Sequence, residues 1–147
     1  MTSVKTNHYF INFSSVGILL LIALMLPSCA RKISFQTSSV VPSAEGSVKM
    51  KKDKNKNYDI DLSVIRLADP KRLNPSKQVY VVWINTDQNG TKNIGQLKTS
   101  SSILSKTLKS SLKTVSSVKP TRIFITAGDD AAVQYPSGEV VLDTSSF

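Results

Sequence analysis

Histidine, cysteine and tryptophan each occur once in this chain of 147 residues. The histidine is His8 and the cysteine is Cys29, both near the N-terminus. A lone cysteine excludes an intrachain disulfide and any zinc cage built from several thiolates. A lone imidazole at His8 leaves the body of the chain without the usual general base and without the commonest metal ligand. A Ser-His-Asp triad therefore has no base, and no serine lies in a nucleophile-elbow motif. Acidic residues are also scarce: ten Asp and Glu stand against 19 Lys and Arg, a formal net charge of +9.

Long apolar runs are nearly absent as well, with one exception. Val16-Gly-Ile-Leu-Leu-Leu-Ile-Ala-Leu-Met-Leu26 is a single stretch of eleven residues. As a helix it reaches roughly 16 Å, about half of a bilayer core of ~30 Å, too short for a permanent span. Lys5 precedes it and no acid does, so residues 1–28 read as a signal peptide. The run closes on Leu26-Pro-Ser-Cys29, which resembles a bacterial lipobox: an aliphatic residue at −3, a small one at −1, then cysteine. The resemblance implies cleavage before Cys29 and acylation of that cysteine. Several acyl chains at ~0.8 kcal/mol per buried CH₂ hold a protein stably on a membrane. Ala30, rather than Asp, follows the cysteine, which by the resemblance implies sorting to the outer membrane. Arg31 and Lys32 stand where anionic head groups are within reach.

Three segments follow from this reading: the leader 1–28, a lipidated cysteine and flexible linker at 29–43, and one folded domain at 44–147. The linker rests on Ser34-Phe-Gln-Thr-Ser-Ser-Val-Val-Pro-Ser43, a short polar stretch taken to lift the domain off the bilayer. The leader takes away Lys5 and no acid, so the exported chain stays strongly basic. In a cytosolic protein that balance suggests nucleic acid; export excludes it. The remaining partners are an anionic envelope polymer, a lipid surface or another envelope protein, against the plainer role of lysines that solubilise strand edges.

The folded part has a period of two. Val48 and Met50 alternate with Ser47, Lys49 and Lys51; Asp53-Lys-Asn-Lys-Asn57 is a polar turn; Tyr58, Ile60, Leu62 and Val64 then alternate with Asp59, Asp61 and Ser63. Residues 68–77 hold two prolines and read as a loop. Val79-Tyr-Val-Val-Trp-Ile84 is apolar on both faces and reads as a central strand with Trp83 as core anchor. Asp87-Gln-Asn-Gly90 is a hairpin turn, and a short strand returns over Ile94–Leu97. Residues 103–116 fit helical and strand spacing alike, with their serines and threonines favouring a strand. Arg122–Thr126 and Glu139–Leu142 complete seven strands. That number, with regular turns, predicts an all-β, immunoglobulin-like two-sheet β-sandwich, without the Cys–Trp–Cys spacing of true immunoglobulin domains.

Five segments in order, Tyr80-Val-Val-Trp-Ile84, the Asp87–Gly90 turn, Ile94-Gly-Gln-Leu97, Ile123-Phe-Ile-Thr126 and Pro136-Ser-Gly138 with Val140-Val-Leu142, resemble the extracytoplasmic C-terminal domain of anti-sigma-K-type factors. The resemblance spans residues 78–143 and implies a shared β-sandwich and a strand at 103–116. Ala127-Gly-Asp-Asp130 departs from the Glu-Pro-x-Gly-Gly turn of that family. Only a leader precedes Cys29, so a sigma-binding domain is not expected here.

Few side-chain groups offer chemistry. Asp59 and Asp61 share a strand face with side chains about 7 Å apart, a spacing compatible with paired carboxylates. Lys49 and Lys51 on the neighbouring strand are the more economical partners for them. Asp129-Asp130 and Asp87-x-Asn89 offer calcium too few oxygens and suit turns equally well. Lys51, Lys52, Lys54 and Lys56 form a candidate polyanion contact at one hairpin end. Tyr135 beside Pro136 is a candidate exposed contact. The expectation is thus a non-enzymatic, lipid-anchored binding module of the cell envelope, with no cofactor or metal. A regulatory partner akin to anti-sigma extracytoplasmic domains is the alternative.

Overall fold

The computed structural model describes residues 30–102 and 105–147, so the leader and Cys29 lie outside the described residues, as do Ile103 and Leu104. The strands are β1 (Arg31–Ser34), β2 (Glu45–Lys52), β3 (Tyr58–Ile65), β4 (Val79–Thr86), β5 (Gly90–Gln96), β6 (Lys98–Ser102), β7 (Ser105–Ser116), β8 (Pro120–Gly128) and β9 (Val140–Asp143). One 3₁₀ turn, Pro70–Arg72, interrupts the loop before β4 and is capped by the Asp69 side chain. The strands form two antiparallel sheets, ordered β1-β2-β3-β7-β6 and β5-β4-β8-β9. Taking β2, β3, β7 and β6 as A, B, E and D, and β5, β4, β8 and β9 as C′, C, F and G, gives the immunoglobulin-like arrangement. The ambiguous segment is a strand from Ser105 onward, paired with β3 over Lys109–Ser116.

Alternation builds the core. Val48 on β2, with Ile60, Leu62 and Val64 on β3, faces Tyr80, Val82, Ile84, Ile123, Ile125 and Leu142 of the other sheet, all buried. Burying such a side chain stabilises by about 1.5–3 kcal/mol, the dominant favourable term here. The opposite faces of the two sheets are treated differently. On the second sheet Val81, Trp83 and Phe124 form a separate buried cluster, covered in part by Val133 from the 129–139 loop. Trp83 is therefore fully buried, but on the outer side of β4 rather than between the sheets. This is why β4 is apolar on both faces. Its indole Nε1–H donates to the equally buried Thr126 Oγ1 at 2.9 Å. Its ring stacks on Phe124 at 6.3 Å between centroids. On the first sheet the outer face carries lysine, serine and aspartate and is left open.

The expected linker at 29–43 is corrected by the structure. Arg31–Ser34 pairs residue for residue with Met50–Ser47 of β2. Phe35 N–H then donates to the Gly46 carbonyl at 3.0 Å and Gln36 N–H to the Asp143 carbonyl at 2.7 Å, so the chain passes from one sheet to the edge of the other. The Ser38 hydroxyl accepts from the amides of Val40 and Val41, and Val41 and Ala44 are buried in the core. The stretch has linker composition yet closes the sandwich.

Candidate functional site

The β2–β3 hairpin brings the four candidate lysines together. In register, Lys49 faces Asp61, Lys51 faces Asp59 and Lys52 faces Tyr58. The tip is held in shape by Asp53. Its carboxylate accepts from the Asn57 amide at 2.8 Å and from the Asn57 side chain at 3.2 Å. The Lys56 amide donates to the Asp53 carbonyl, and Lys56 turns the corner at a φ of 67°. Asp53 is thus occupied inside the turn, while Lys54, Asn55 and Lys56 are exposed. Lys51 is exposed on the open face, and Lys52 Nζ lies 5.7 Å over the Tyr58 ring.

Other cations collect at the same end of the sandwich. Arg31 is opposite Met50, one residue before Lys51, and its guanidinium stacks 5.2 Å from the Phe147 ring. The three-residue connection from β7 to β8 places exposed Lys119 there, since Ser116 is opposite Tyr58. The tight β4–β5 turn lies at this end too, because Thr86 pairs with Pro120. In that turn the Thr86 hydroxyl accepts from the Asn89 amide, and Gly90 has the positive φ the turn requires. Lys119 carried no local signal in the sequence; only the strand pairing shows that it shares an end with Lys54.

Asp59 and Asp61 lie on the outer face of the first sheet, in a shallow groove shared with Lys113 and Val115. Lys113 Nζ is 3.4 Å from Asp61, an exposed pair worth at most a fraction of a kcal/mol, on the order of 0.2–1. With lysines in register on the β2 side and on the β7 side, the two carboxylates form a charge-balanced stripe. Of the calcium candidates, Asp87 and Asn89 lie in the β4–β5 turn, and the Asp129-Asp130 carboxylates have partners within the protein. Asp129 accepts from Lys77 Nζ at 2.8 Å, and Asp130 accepts from the Ala132 amide at 2.8 Å. Among the described residues no group of three or more His, Cys, Asp or Glu side chains is gathered for a metal.

Among the described residues two titratable groups are perturbed, both by structural contacts. Burial, and then the nearby Asp69 carboxylate, pushes the Tyr80 phenol up to about 12; its hydroxyl donates to the Ala68 carbonyl at 3.0 Å. The hydrogen bond to Asp143 raises the Arg122 guanidinium, burial opposing in part. Arg122 grips that carboxylate through both Nε and Nη2 and stacks 5.3 Å from the Phe124 ring, extending the aromatic row that ends at Trp83. Tyr135 projects from the covering loop and is 79% exposed, which suits it to contact with a partner.

The five segments Tyr80–Ile84, Asp87–Gly90, Ile94–Leu97, Ile123–Thr126 and Pro136–Leu142 fall on the four strands of the second sheet and on the turns beside them. Comparison with protein-family models, curated proteins and solved structures finds no match for this chain.

Proposed function

We propose that this protein is a lipid-anchored, non-enzymatic interaction module of the bacterial cell envelope, acylated at Cys29 and carried on the outer membrane. One observation carries the reading. The first strand begins at Arg31, two residues after the lipobox cysteine, so cleavage before Cys29 leaves every described strand intact.

The surface chemistry supports binding in place of catalysis. Asp61 is paired with Lys113, Lys49 and Lys51 stand in register beside the two carboxylates, and the body of the chain offers neither imidazole nor thiol. The binding partner is an anionic envelope polymer that meets the lysines of the first sheet, where Lys32, Lys49 and Lys113 stand on one open face. A regulatory role through the second sheet is the second reading, favoured by the position of the resembling segments on that sheet.

Metabolic palmitate labelling tests the anchor. Label enters the wild-type chain and is absent from Cys29→Ala; label that persists in the variant refutes the reading. Retention on an immobilised anionic glycan, followed against salt, tests the partner. Binding falls steeply towards physiological ionic strength if lysines carry it, and is flat if apolar strand edges do.

A further inference from the structure

The corrected course of residues 31–43 changes where the domain stands. A flexible linker would let the sandwich float free. Instead, the anchored cysteine is two residues from Arg31, about 7–8 Å of chain at most. Arg31 is paired at the hairpin end of the sandwich. Whatever is bonded to Cys29 therefore leaves the fold beside the Lys51–Lys56 hairpin.

The two ends of the sandwich also differ in charge. At the hairpin end Arg31, Lys51, Lys52, Lys54, Lys56 and Lys119 are all exposed. Three acids accompany them: Asp53, held within its own turn, Asp59, in register with Lys51, and Asp87. At the far end the 66–78 and 129–139 loops balance: Arg66, Lys71, Arg72 and Lys77 against Asp69, Asp129, Asp130 and Glu139.

We propose that the hairpin end is a built membrane-contact surface: the lipid on Cys29 and the cations of the β2–β3 tip act together, seating the sandwich on anionic lipid head groups with the 129–139 loop and Tyr135 held away from the bilayer. This rests on the anchor reading above and adds an orientation to it. Polybasic segments gain about fivefold in partitioning per lysine held near an anionic surface, and lose it beyond a Debye length of roughly 8–10 Å. The hydrogen-bonded Asp53–Asn57 turn holds Lys54 and Lys56 exposed, so their backbone is already ordered before contact. Lys51 to Lys56, first read as a contact for a free polyanion, become the footing of the domain. The polymer contact is left to the open face.

The test uses the full lipoprotein in vesicles of phosphatidylcholine with phosphatidylglycerol. The lipidated chain has no free thiol, so Asn55→Cys at the tip and Ser137→Cys at the far end each give a unique labelling site. The fluorophore at position 55 is quenched strongly by a head-group spin label and the one at 137 is not. In phosphatidylcholine alone, in high salt, or with Lys51→Gln, Lys54→Gln and Lys56→Gln together, quenching at 55 falls at least twofold; Lys71→Gln with Arg72→Gln leaves it unchanged. Lys52 is kept in the triple variant because it packs on Tyr58. Equal quenching at both positions, or insensitivity to the triple variant, overturns the orientation. Flotation of the same samples separates the two ideas. If Cys29→Ala floats as well as wild type, the anchor reading fails and takes the orientation with it. If only wild type floats and quenching is uniform, the anchor stands and the orientation alone falls.

Discussion

At the scale of the residue, two polar groups are closed off with single partners. Trp83 Nε1–H has Thr126 Oγ1 as its acceptor, and both side chains are buried. Thr126→Val keeps the volume but leaves a buried indole N–H unpaired, so it lowers the unfolding free energy by about 1–3 kcal/mol in urea titration. The lone tryptophan reports the same transition by fluorescence, its emission shifting red as the outer cluster opens. Tyr80 gives a prediction in pH. Its phenol titrates near 10.0 when unfolded and near about 12 when folded, so the folded state favours the protonated form. That contribution is complete below pH 10 and is lost as pH rises towards 12. Tyr80→Phe therefore flattens the alkaline limb of the stability profile over that window, and an unaltered limb counts against burial as the cause. Trp83 was legible as a buried anchor from its neighbours in an apolar run. Which side of the sheet it faced was not, because the loop that covers it is about fifty residues further along the chain.

Among the elements, β2 and β3 could be read from alternation, and β4 and β8 from continuous apolar runs, because each carries its burial in its own sequence. Two strands carry it elsewhere. β6 is Lys98-Thr-Ser-Ser-Ser102, with no apolar residue, and exists through its pairing with β7. β1 and the segment after it are held by Gly46 and Asp143, the latter more than a hundred residues away. Local composition cannot report such partners. The cross-strand match of Lys49 with Asp61 and Lys51 with Asp59 was legible, since hairpin register follows from the turn; the closer approach of Lys113 to Asp61 was not. Hydrogen exchange distinguishes a strand from a linker here. The amides of Phe35 and Gln36 exchange slowly, close to those of β2; exchange at the free-chain rate contradicts the placement. Gly138 offers a second check, on the loop over Trp83. Its φ is +86° and a Cβ would come within 2.3 Å of the Ala127 carbonyl oxygen. Gly138→Ala destabilises by about 1–3 kcal/mol or more in thermal or urea unfolding.

On the scale of the whole molecule, the sandwich is asymmetric twice over. One sheet hides its outer face under a loop and an aromatic row, and the other leaves an open face of lysine, serine and aspartate. One end is cationic, and the other balances its charges. The cationic end is also the end at which the chain leaves the fold towards Cys29. Because surface charge contacts are screened by salt, retention on an anionic glycan should drop by more than tenfold between low and physiological ionic strength, and a change of less than twofold speaks for a contact through the second sheet. The site was only partly legible. The hairpin lysines stood out as a run, while Arg31 and Lys119 joined them through register alone.

The measurement that bears most directly on this account is the mass of the N-terminal peptide of the protein extracted from membranes. The account predicts a peptide that begins at Cys29 and is heavier than its sequence by a diacylglyceryl group and an amide-linked acyl chain. An unmodified Cys29 within a peptide still joined to Leu26-Pro-Ser28 would contradict it.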